Sequence, residues 1–319
     1  MDSSTLPARE LGPLQQGLLQ WFAAHGRDLP WRKTRDPYHI LVSEIMLQQT
    51  QVDRVMPKYL AFLALFPTIQ ALAAASTADV IRSWAGLGYN RRAVNLQRAA
   101  QAVVEQHSGV FPRDVATLLK LPGVGPYTAG AVACFAFEQD VAFMDTNIRR
   151  VIQRAFVGPE EQGPASDAEL LALAAQVLPA GHGWAWNQGV MEIGALICGA
   201  TNPQCWRCPL QSGCRAYHVR SARDTAAFEL APAAPPRRAR AVAERREAPF
   251  VGSTRYYRGR IVDALRAAPP GHRVASAALG PQIKSDFTDA DRPWLRGLLD
   301  RLAADGLVVL DGEHVQLPA

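Results

Sequence analysis

Hydrophobic positions recur at intervals of three and four residues from about residue 11 to residue 217, with short polar or Gly/Pro breaks between segments. This period is typical of amphipathic α-helices, and strand-like alternation is nearly absent from the same region. One stripe predicts either a single long helix or two helices that break near Pro57, and it consists of Leu41, Ile45, Val52, Met56, Tyr59, Leu60 and Leu63. Similar stripes at 94–104 and 170–178 complete the prediction of an all-α body of about ten helices.

The pattern changes after residue 230. Residues 231–236 are only alanine and proline, and residues 237–246 hold five arginines against a single glutamate, which predicts an extended basic linker. Beyond it, helices are predicted at 256–268 and 289–305, and two short apolar runs flank Asp311-Gly312-Glu313, a hairpin turn. Helices followed by a short hairpin resemble a winged helix.

Composition narrows the class of protein only coarsely. The chain has 319 residues, enough for two domains, and its 48% hydrophobic and 20% charged residues are ordinary for a globular protein. No apolar run approaches the roughly 18 residues that span a bilayer, and no signal peptide is recognisable, so we expect no membrane contact and a cytoplasmic location. The net charge of +5 is compatible with an anionic partner without identifying one.

Four of the five cysteines form a compact cluster with the spacing C-x6-C-x2-C-x5-C, at Cys198, Cys205, Cys208 and Cys214. A short loop can bring four such thiolates to one metal centre, and the spacing favours an iron–sulfur cluster. The alternatives are a structural zinc site, whose ligand pairs are usually further apart in sequence, and four unrelated cysteines. The remaining Cys134 lies in an apolar helix and is expected to pack in the core.

A glycine-rich segment, Leu-Pro-Gly-Val-Gly-Pro-Tyr-Thr at 121–128, joins two helical stretches. Gly123 and Gly125 can adopt positive φ and let a phosphate approach, and Pro126 suits a first helical position, where helix N–H groups face an anion. The segment resembles a helix–hairpin–helix motif that grips DNA backbone through Gly123, Val124 and Gly125. The alternative is a simple turn between core helices. Residues 86–89 echo the motif weakly and predict a helix connection.

Two acidic residues stand out. Asp145 precedes a helical segment and is predicted to be its N-cap, because its carboxylate can accept the first-turn N–H groups. Glu44 lies in Ser-Glu-Ile-Met-Leu-Gln-Gln-Thr at 43–50, on one helix face with Gln48 and away from the apolar stripe. A solvated Glu–Gln face is the alternative to a functional role for Glu44.

Taken together and in their order along the chain, the four motifs resemble those of the superfamily of endonuclease III and MutY-like adenine mismatch glycosylases, over about residues 21–217. The resemblance implies a helix-hairpin-helix DNA glycosylase fold, all-α, with a six-helix barrel at about 31–142 and a [4Fe-4S] helical domain from 1–30 and 143–217. This catalytic region, 1–221, is followed by the linker, 222–252, and by a small C-terminal winged-helix-like α+β domain, 253–319.

The resemblance also implies a catalytic set of Glu44, Asp145, Tyr127 and Asn147. Cleavage of an N-glycosidic bond needs an acid that protonates the leaving base and an anion that stabilises the electron-poor sugar, and these roles fall to Glu44 and Asp145. Tyr127 stands where bifunctional relatives carry a lysine, and a phenol cannot form the Schiff base, so little strand cleavage is expected. Asn147 and Tyr127 are expected to position Asp145 and the sugar.

The same resemblance implies a substrate-binding set of Trp31, Arg32, Gln188, Gln48, Gln49, Thr50 and Tyr89. Trp31, Arg32 and Gln188 are expected to wall a pocket and offer an amide to the flipped base. Gln49 and Tyr89 are expected to fill the gap that the base leaves in the stack. Core packing and solvent exposure are the alternative roles for tryptophan and glutamine at helix faces.

The implied function is a monofunctional DNA glycosylase that removes adenine mispaired with 8-oxoguanine or guanine from double-stranded DNA, in base excision repair. We expect a monomer in the bacterial cytosol or nucleoid, with a [4Fe-4S] cluster. A thymine (T:G) mismatch glycosylase on the same scaffold is one alternative, against which Gln188 argues. A non-enzymatic iron–sulfur DNA-binding regulator is another, and it leaves Glu44 and Asp145 unexplained.

One departure concerns the lesion. Typical adenine glycosylases continue into a larger Nudix-like domain that helps to read 8-oxoguanine, whereas residues 255–319 are too few and too helical for one. Shorter bacterial relatives have a tail resembling Pro-Phe-Val-Gly-Ser at 249–253. We therefore expect weaker selectivity between the 8-oxoG:A and G:A pairs than the longer enzymes show.

Overall fold

The structure is a computed structural model that describes residues 8–230 and 250–319, with side chains described for 11–222 and 250–319. The first of these ranges contains twelve α-helices. They are α1 (Ala8–His25), α2 (Pro37–Leu47), α3 (Val52–Leu65), α4 (Ile69–Ala74), α5 (Thr77–Ser83), α6 (Arg91–His107), α7 (Val115–Leu118), α8 (Pro126–Phe137), α9 (Thr146–Ile152), α10 (Asp167–Val177), α11 (Gly183–Leu196) and α12 (Arg215–Leu230). The predicted all-α body is confirmed, and within residues 8–230 no helix is long and apolar enough to cross a bilayer.

Short polar side chains define where many of these helices begin. Thr68, Ser76, Asp114 and Asp145 each accept a hydrogen bond from the backbone N–H three residues further on. Ser166 forms a complete capping box with Glu169 at the start of α10. The N-termini of these helices are therefore set by local sequence, as predicted for Asp145.

The helix break predicted near Pro57 lies instead between α2 and α3, at residues 48–51. Gln49 has a left-handed φ of 59°, and Gln51 is extended with φ −69° and ψ 144°, so the helix cannot continue through them. Pro57 is accommodated inside α3. The prediction that Leu60 faces the core is also wrong, since it is 56% exposed, and the buried face of α3 consists of Val55, Tyr59 and Phe62.

The chain divides into two compact units. The first contains the described residues of Met1–Ile40, Arg113–Leu119 and Gly125–Pro236. The second contains Leu41–Pro112, Lys120–Val124 and the described residues of Arg237–Ala319. The predicted barrel, about residues 31–142, therefore contributes to both units, and the C-terminal segment groups with α2–α6.

In the first unit, α11 packs against both α1 and α9. Glycines permit both approaches, because a Cβ at Gly189 would lie 2.5 Å from a methyl carbon of Leu18 and a Cβ at Gly194 would lie 2.6 Å from the Cβ of Asn147. After α9 the chain makes a π-helical turn, Gln153–Val157, which is a rare geometry that often marks functional sites.

The C-terminal segment of the second unit is a winged helix. Its elements are α13 (Thr254–Ala267), β1 (Val274–Ala275), α14 (Ser276–Ile283), α15 (Arg292–Ala304), β2 (Val309–Asp311) and β3 (His314–Gln316). The three strands form an antiparallel sheet of order β1-β3-β2, in which Val315 pairs with both Val274 and Leu310. The two predicted helices and the hairpin are confirmed, and Gly312 turns the hairpin with a φ of 59°. Helix α14 and strand β1 were not predicted.

This segment shares one hydrophobic cluster with α5 and α6. Ala78, Ile81 and Val94 pack with apolar residues of the winged helix, which include Ile261, Val262, Leu265, Leu298, Leu302 and Val315. The N–H of Thr77 also donates to the carbonyl of Ala319 at 3.3 Å. Of the predicted linker 222–252, the part up to Leu230 continues α12, and residues 231–249 lie outside the described residues.

Candidate active site

Asp145 caps α9, and both of its carboxylate oxygens have fixed donors. Oδ1 accepts from the N–H of Ile148 at 2.7 Å, and Oδ2 accepts from Nδ2 of Asn147 at 3.1 Å. The N-cap position alone would account for the first bond, but Asn147 is an additional donor from the same turn. Two hydrogen bonds of this kind hold the carboxylate of Asp145 in one orientation.

A hydrogen-bonded path leads from Asp145 to the cysteine loop. Oδ1 of Asn147 accepts from the guanidinium of Arg150 at 2.8 Å, and Arg150 also donates to the carbonyl of Gly194 at 2.7 Å and to that of Cys198 at 2.6 Å. Arg150 therefore fixes Asn147 against α11 and joins the first turn of α9 to the first cysteine.

Tyr127 follows Pro126 in the first turn of α8 and is half-buried. Its hydroxyl lies 4.0 Å from Sδ of Met191, and its ring packs edge-on against Phe143 with centroids 5.5 Å apart. Aromatic packing thus holds the ring in place.

Arg32 and Gln188 are brought together by a buried acid that the sequence analysis missed. Nε of Arg32 donates to Oε1 of Gln188 at 2.8 Å, while its Nη2 donates to Glu192 at 2.8 Å. Glu192 also binds Arg27, through Nε at 2.7 Å and Nη2 at 2.9 Å. Because its oxygen is engaged, the amide of Gln188 is left to present its N–H groups as donors.

The charge on Glu192 is stabilised by these arginines. Burial alone would raise the pKa of the Glu192 carboxyl, but hydrogen bonds from Arg27 and Arg32 outweigh it and lower the pKa to about 2. The side chain of Glu192 is only 1% exposed. Trp31 lies beside this network on a short 3-10 turn and is buried.

Glu44 lies in α2 and is 3% exposed, next to the equally buried Ser43. The alternative of a solvated Glu–Gln face is therefore wrong for Glu44, while Gln48 is half-buried just beyond the helix end. Glu44 belongs to the second unit, and Asp145, Tyr127 and Asn147 belong to the first.

Gln48, Gln49, Thr50 and Tyr89 lie on two neighbouring turns that Arg92 ties together. Arg92 donates to the carbonyls of Ile45, Met46, Gln48, Leu87 and Gly88 and to the hydroxyl of Thr50. Burial lowers the pKa of Arg92 to about 10, which leaves it cationic at neutral pH. Sequence reasoning missed Arg92, because its acceptors are main-chain groups with no signature of their own.

The hairpin has one left-handed glycine where two were predicted. Gly123 has a φ of +75°, whereas Gly125 is extended, with φ −94° and ψ −179°, and acts as the N-cap of α8 ahead of Pro126. A Cβ at Gly123 would lie 2.7 Å from the Cβ of Asn95, so this position excludes side chains on two grounds. Val124 is buried and closes the turn by donating to the carbonyl of Leu121 at 3.1 Å.

All four clustered cysteines, Cys198, Cys205, Cys208 and Cys214, line one cavity. Burial raises the pKa of the Cys208 thiol to about 12 and also raises the pKa of Cys205 and Cys214. Within residues 11–222 and 250–319, no three metal-ligating side chains are arranged around a single ion. Four cysteines that line one cavity are the residues in this site that could hold a metal centre. Cys134, by contrast, is fully buried in α8, as predicted.

Arg154, in the π-helical turn, faces the cysteine loop and was not anticipated. It donates to Sγ of Cys198 at 3.7 Å and to the carbonyls of Gly199 at 2.8 Å and Ala200 at 2.9 Å. Glu160 pairs with its Nε at 2.9 Å. These contacts of a buried guanidinium with one sulfur and two carbonyls hold the loop around the cavity.

Comparison with known proteins shows the family of the chain. The model of the HhH-GPD superfamily base excision DNA repair proteins matches residues 42–176. The adenine DNA glycosylase of Mycolicibacterium smegmatis is 41% identical over 292 residues, which are 91% of this chain and 91% of that protein. The chain belongs to the adenine DNA glycosylase family. The human adenine DNA glycosylase is 41% identical over 217 residues, 65% of this chain and 40% of the human protein.

Solved structures agree on the fold. A thermostable thymine-DNA glycosylase superposes with a TM-score of 0.62 at 32% identity, covering 66% of this chain and 98% of that one. Endonuclease III trapped as a covalent intermediate with DNA gives a TM-score of 0.58 at 23% identity, covering 68% of this chain and 100% of that one. The predicted helix-hairpin-helix glycosylase fold is thereby confirmed.

Proposed function

We propose that this glycosylase removes adenine mispaired with 8-oxoguanine or guanine from double-stranded DNA, as a monofunctional enzyme of base excision repair. The observation that carries the proposal is the carboxylate of Asp145, whose two oxygens are held by Ile148 and Asn147. The relatives named adenine DNA glycosylase support the choice of adenine. We also infer that it acts as a monomer on DNA in the bacterial cytosol.

In the proposed reaction, the bond between C1′ of the sugar and the ring nitrogen of adenine breaks, and its electron pair leaves with the base. Glu44 supplies the proton that the departing purine needs, and its burial keeps bulk water away from that carboxyl. Asp145 stabilises the positive charge that develops on the sugar. Water then adds to C1′, loses a proton and leaves an abasic site.

The side chain of Tyr127 has no amine, so the abasic sugar is not captured as an imine and the strand stays intact. Its ring is held by Phe143 and borders the helix start that follows the hairpin. We propose that Tyr127 and Asn147 position the sugar and Asp145 rather than react with them.

The network of Arg32, Gln188 and Glu192 suits recognition of an everted purine. Because Arg32 occupies the oxygen of Gln188, the amide can donate to a ring nitrogen acceptor of adenine. Trp31 supplies apolar surface beside it. The turn formed by Gly123, Val124 and Gly125 is proposed to receive a backbone phosphate without reading sequence.

The four cysteines around one cavity fit a [4Fe-4S] cluster, which Cys198, Cys205, Cys208 and Cys214 would hold. When bound, such a cluster supplies four iron–thiolate bonds that fold the loop and a redox centre. Arg154 would donate to the sulfur of Cys198, and Arg150 to its carbonyl, so the loop and α9 are joined through this chain's own side chains.

A single-turnover assay with duplexes that carry A:8-oxoG, A:G, T:G or thymine glycol tests the proposal. Strand breaks should appear for the two adenine duplexes only after alkali. Glu44→Gln should lower the excision rate by about 10²- to 10⁴-fold, the range typical of a lost general acid. Spontaneous nicking, or thymine release faster than adenine release, would contradict the proposal.

Asp145→Asn removes the negative charge but keeps the helix N-cap, because asparagine is as good an N-cap as aspartate. We expect the helix content and the melting temperature to stay unchanged while the excision rate falls by roughly 10²-fold or more. Glu105→Gln makes the same chemical change as Glu44→Gln at an exposed position of α6 and should excise adenine at the unmodified rate.

A further inference from the structure

The second unit carries a groove of about 900 Å³ between the turn at residues 86–92 and the start of the winged helix. Its lining includes Gln49, Arg54, Tyr89, Phe250 and Arg255, and we call it the Tyr89–Arg255 groove. The predicted catalytic residues Glu44 and Asp145 do not line this groove. Gln49 and Tyr89, which are expected to enter the DNA stack, do line it.

Arg255 is bound to Tyr89 in two ways. Its Nη1 donates to the hydroxyl of Tyr89 at 2.9 Å, and its guanidinium lies over the tyrosine ring at 5.5 Å from the centroid. The same guanidinium lies 5.0 Å from the centroid of Phe250. The hydroxyl of Tyr89 in turn donates to Oε1 of Gln49 at 3.4 Å. Arg255, Tyr89 and Gln49 therefore form one hydrogen-bonded chain.

Some of the arginines that line the groove are neutralised by carboxylates, and others are not. Arg91 and Arg258 pair with Asp305, and Arg266 pairs with Asp263. Within the described part of the chain, Arg255 and Arg54 pair with no carboxylate. Exposed aromatic rings combined with unneutralised arginines are the composition that binds nucleic acid, through stacking and through phosphate contact.

The two turns present Gln49 and Tyr89 in an unusual backbone state. Both are left-handed, with φ of 59° and 46°, a conformation that side chains other than glycine rarely adopt. Arg92 holds both turns by their carbonyls. Strain of this kind persists only where surrounding contacts enforce it and clusters at functional sites.

We propose that Arg255 is a positioning residue that determines specificity for the base opposite the excised adenine, and that it acts by fixing Tyr89 and Gln49 against that base. The inference rests on the proposed function and on the expectation from the sequence that Gln49 and Tyr89 fill the gap left in the stack. A freely rotating tyrosine stacks on any base, whereas a ring and an amide fixed in one geometry favour the opposite base that matches them. Through Arg255, the winged helix thereby contributes to recognition of the base opposite the adenine.

The test measures single-turnover adenine excision by the full chain on A:8-oxoG, A:G and A:C duplexes. Arg255→Ala should reduce the ratio of the A:8-oxoG rate to the A:C rate at least fivefold. Arg255→Lys should do the same, because lysine keeps the charge and loses the planar stacking. Tyr89→Phe should reproduce the loss, and the double variant Arg255→Ala/Tyr89→Phe should be no worse than either single variant.

Arg301→Ala is the matched control, since it removes an exposed arginine from the same segment outside the groove, and its rate ratio should stay unchanged. A variant that is partly unfolded lowers all rates together, so the ratio reports positioning rather than folding. If Arg255→Ala does not fold, Tyr89→Phe decides the question alone.

Two outcomes would overturn the inference. Equal loss on every duplex, with a weaker dependence on salt and rescue by lysine, would make Arg255 a phosphate contact. An unchanged rate ratio in Arg255→Ala would leave the groove without a role in specificity. Failure of the proposed function looks different, because the unmodified protein would then release no adenine from any duplex.

Discussion

Glu192 binds two arginines at once and orients Gln188 through one of them. Arg27 and Arg32 both direct donors to its carboxylate, which lies in the first unit at 1% exposure. In the proposed function, Glu192 decides through Arg32 which end of the Gln188 amide is offered to a base. We therefore expect recognition of adenine to depend on a carboxylate outside the proposed catalytic pair.

Glu192→Gln should destabilise the protein by about 3 kcal/mol at pH 7, because it leaves two guanidinium groups without their buried counter-charge. The folded pKa of about 2 lies below the ordinary 4.5, so the stabilisation is complete above about pH 4.5 and disappears as the pH falls towards 2. Urea unfolding of both proteins across this range checks the prediction. A stability difference that grows on acidification would contradict it.

At this scale the sequence predicts only what adjacent residues determine. The cysteine spacing, the N-cap role of Asp145 and the burial of Cys134 are all legible within a few positions. Glu192, Arg92 and Arg154 were missed because their partners are distant in sequence: 165 residues separate Arg27 from Glu192, and 44 separate Arg154 from Cys198. The family resemblance, rather than local chemistry, singled out Glu44.

In the second unit, one arginine joins neighbouring elements by donating hydrogen bonds to their main-chain carbonyls. Arg92, on α6, reaches the end of α2 and the turn at 87–88, so the two turns that bear Gln49 and Tyr89 are held by one side chain. The turn at 48–50 also explains why the predicted break near Pro57 was misplaced. Proline is a visible signal in a sequence, whereas a left-handed glutamine stabilised by a distant arginine is not.

Arg92→Ala should lower the free energy of unfolding by at least about 3 kcal/mol, since several buried carbonyls would lose their donor. Arg91→Ala is the matched neighbour, with a side chain that is 64% exposed and pairs with Asp305, and it should change stability by less than about 1 kcal/mol. Chemical denaturation followed by circular dichroism measures both. Equal effects of the two substitutions would show that Arg92 does not hold the turns.

At the scale of the whole molecule, the winged helix is an integral part of the core of the second unit. Ile81 and Val94, on α5 and α6, share a core with Leu298 and Val315 of the winged helix. The sequence predicted α13, α15 and the hairpin of the winged helix correctly, because each has a local pattern of its own, but it missed β1 and α14. It could not show which other segment their apolar faces contact, since that contact is made across some 200 residues.

Leu298→Ala should therefore lower the stability of the second unit as a whole, by about 2 to 5 kcal/mol for a fully buried leucine. Scanning calorimetry should show one shifted transition that involves α5 and α6. A chain ending at residue 230 should melt at least about 5 °C lower or aggregate, because Ile81 and Val94 lose their cover. A new, separate low-temperature transition in Leu298→Ala would indicate an autonomous tail instead.

The second unit is formed from segments that are far apart in sequence, and this affects how it folds during synthesis. Its first stretch ends at Pro112 and the described part of its last stretch begins at Phe250, so helices α5 and α6 leave the ribosome long before the segment that covers them. Domains generally fold as they emerge, yet this one must wait for α13 to β3. Because Ala78, Ile81 and Val94 lack their folded-state cover during that interval, we expect the nascent polypeptide to bind chaperones that recognise apolar segments during translation.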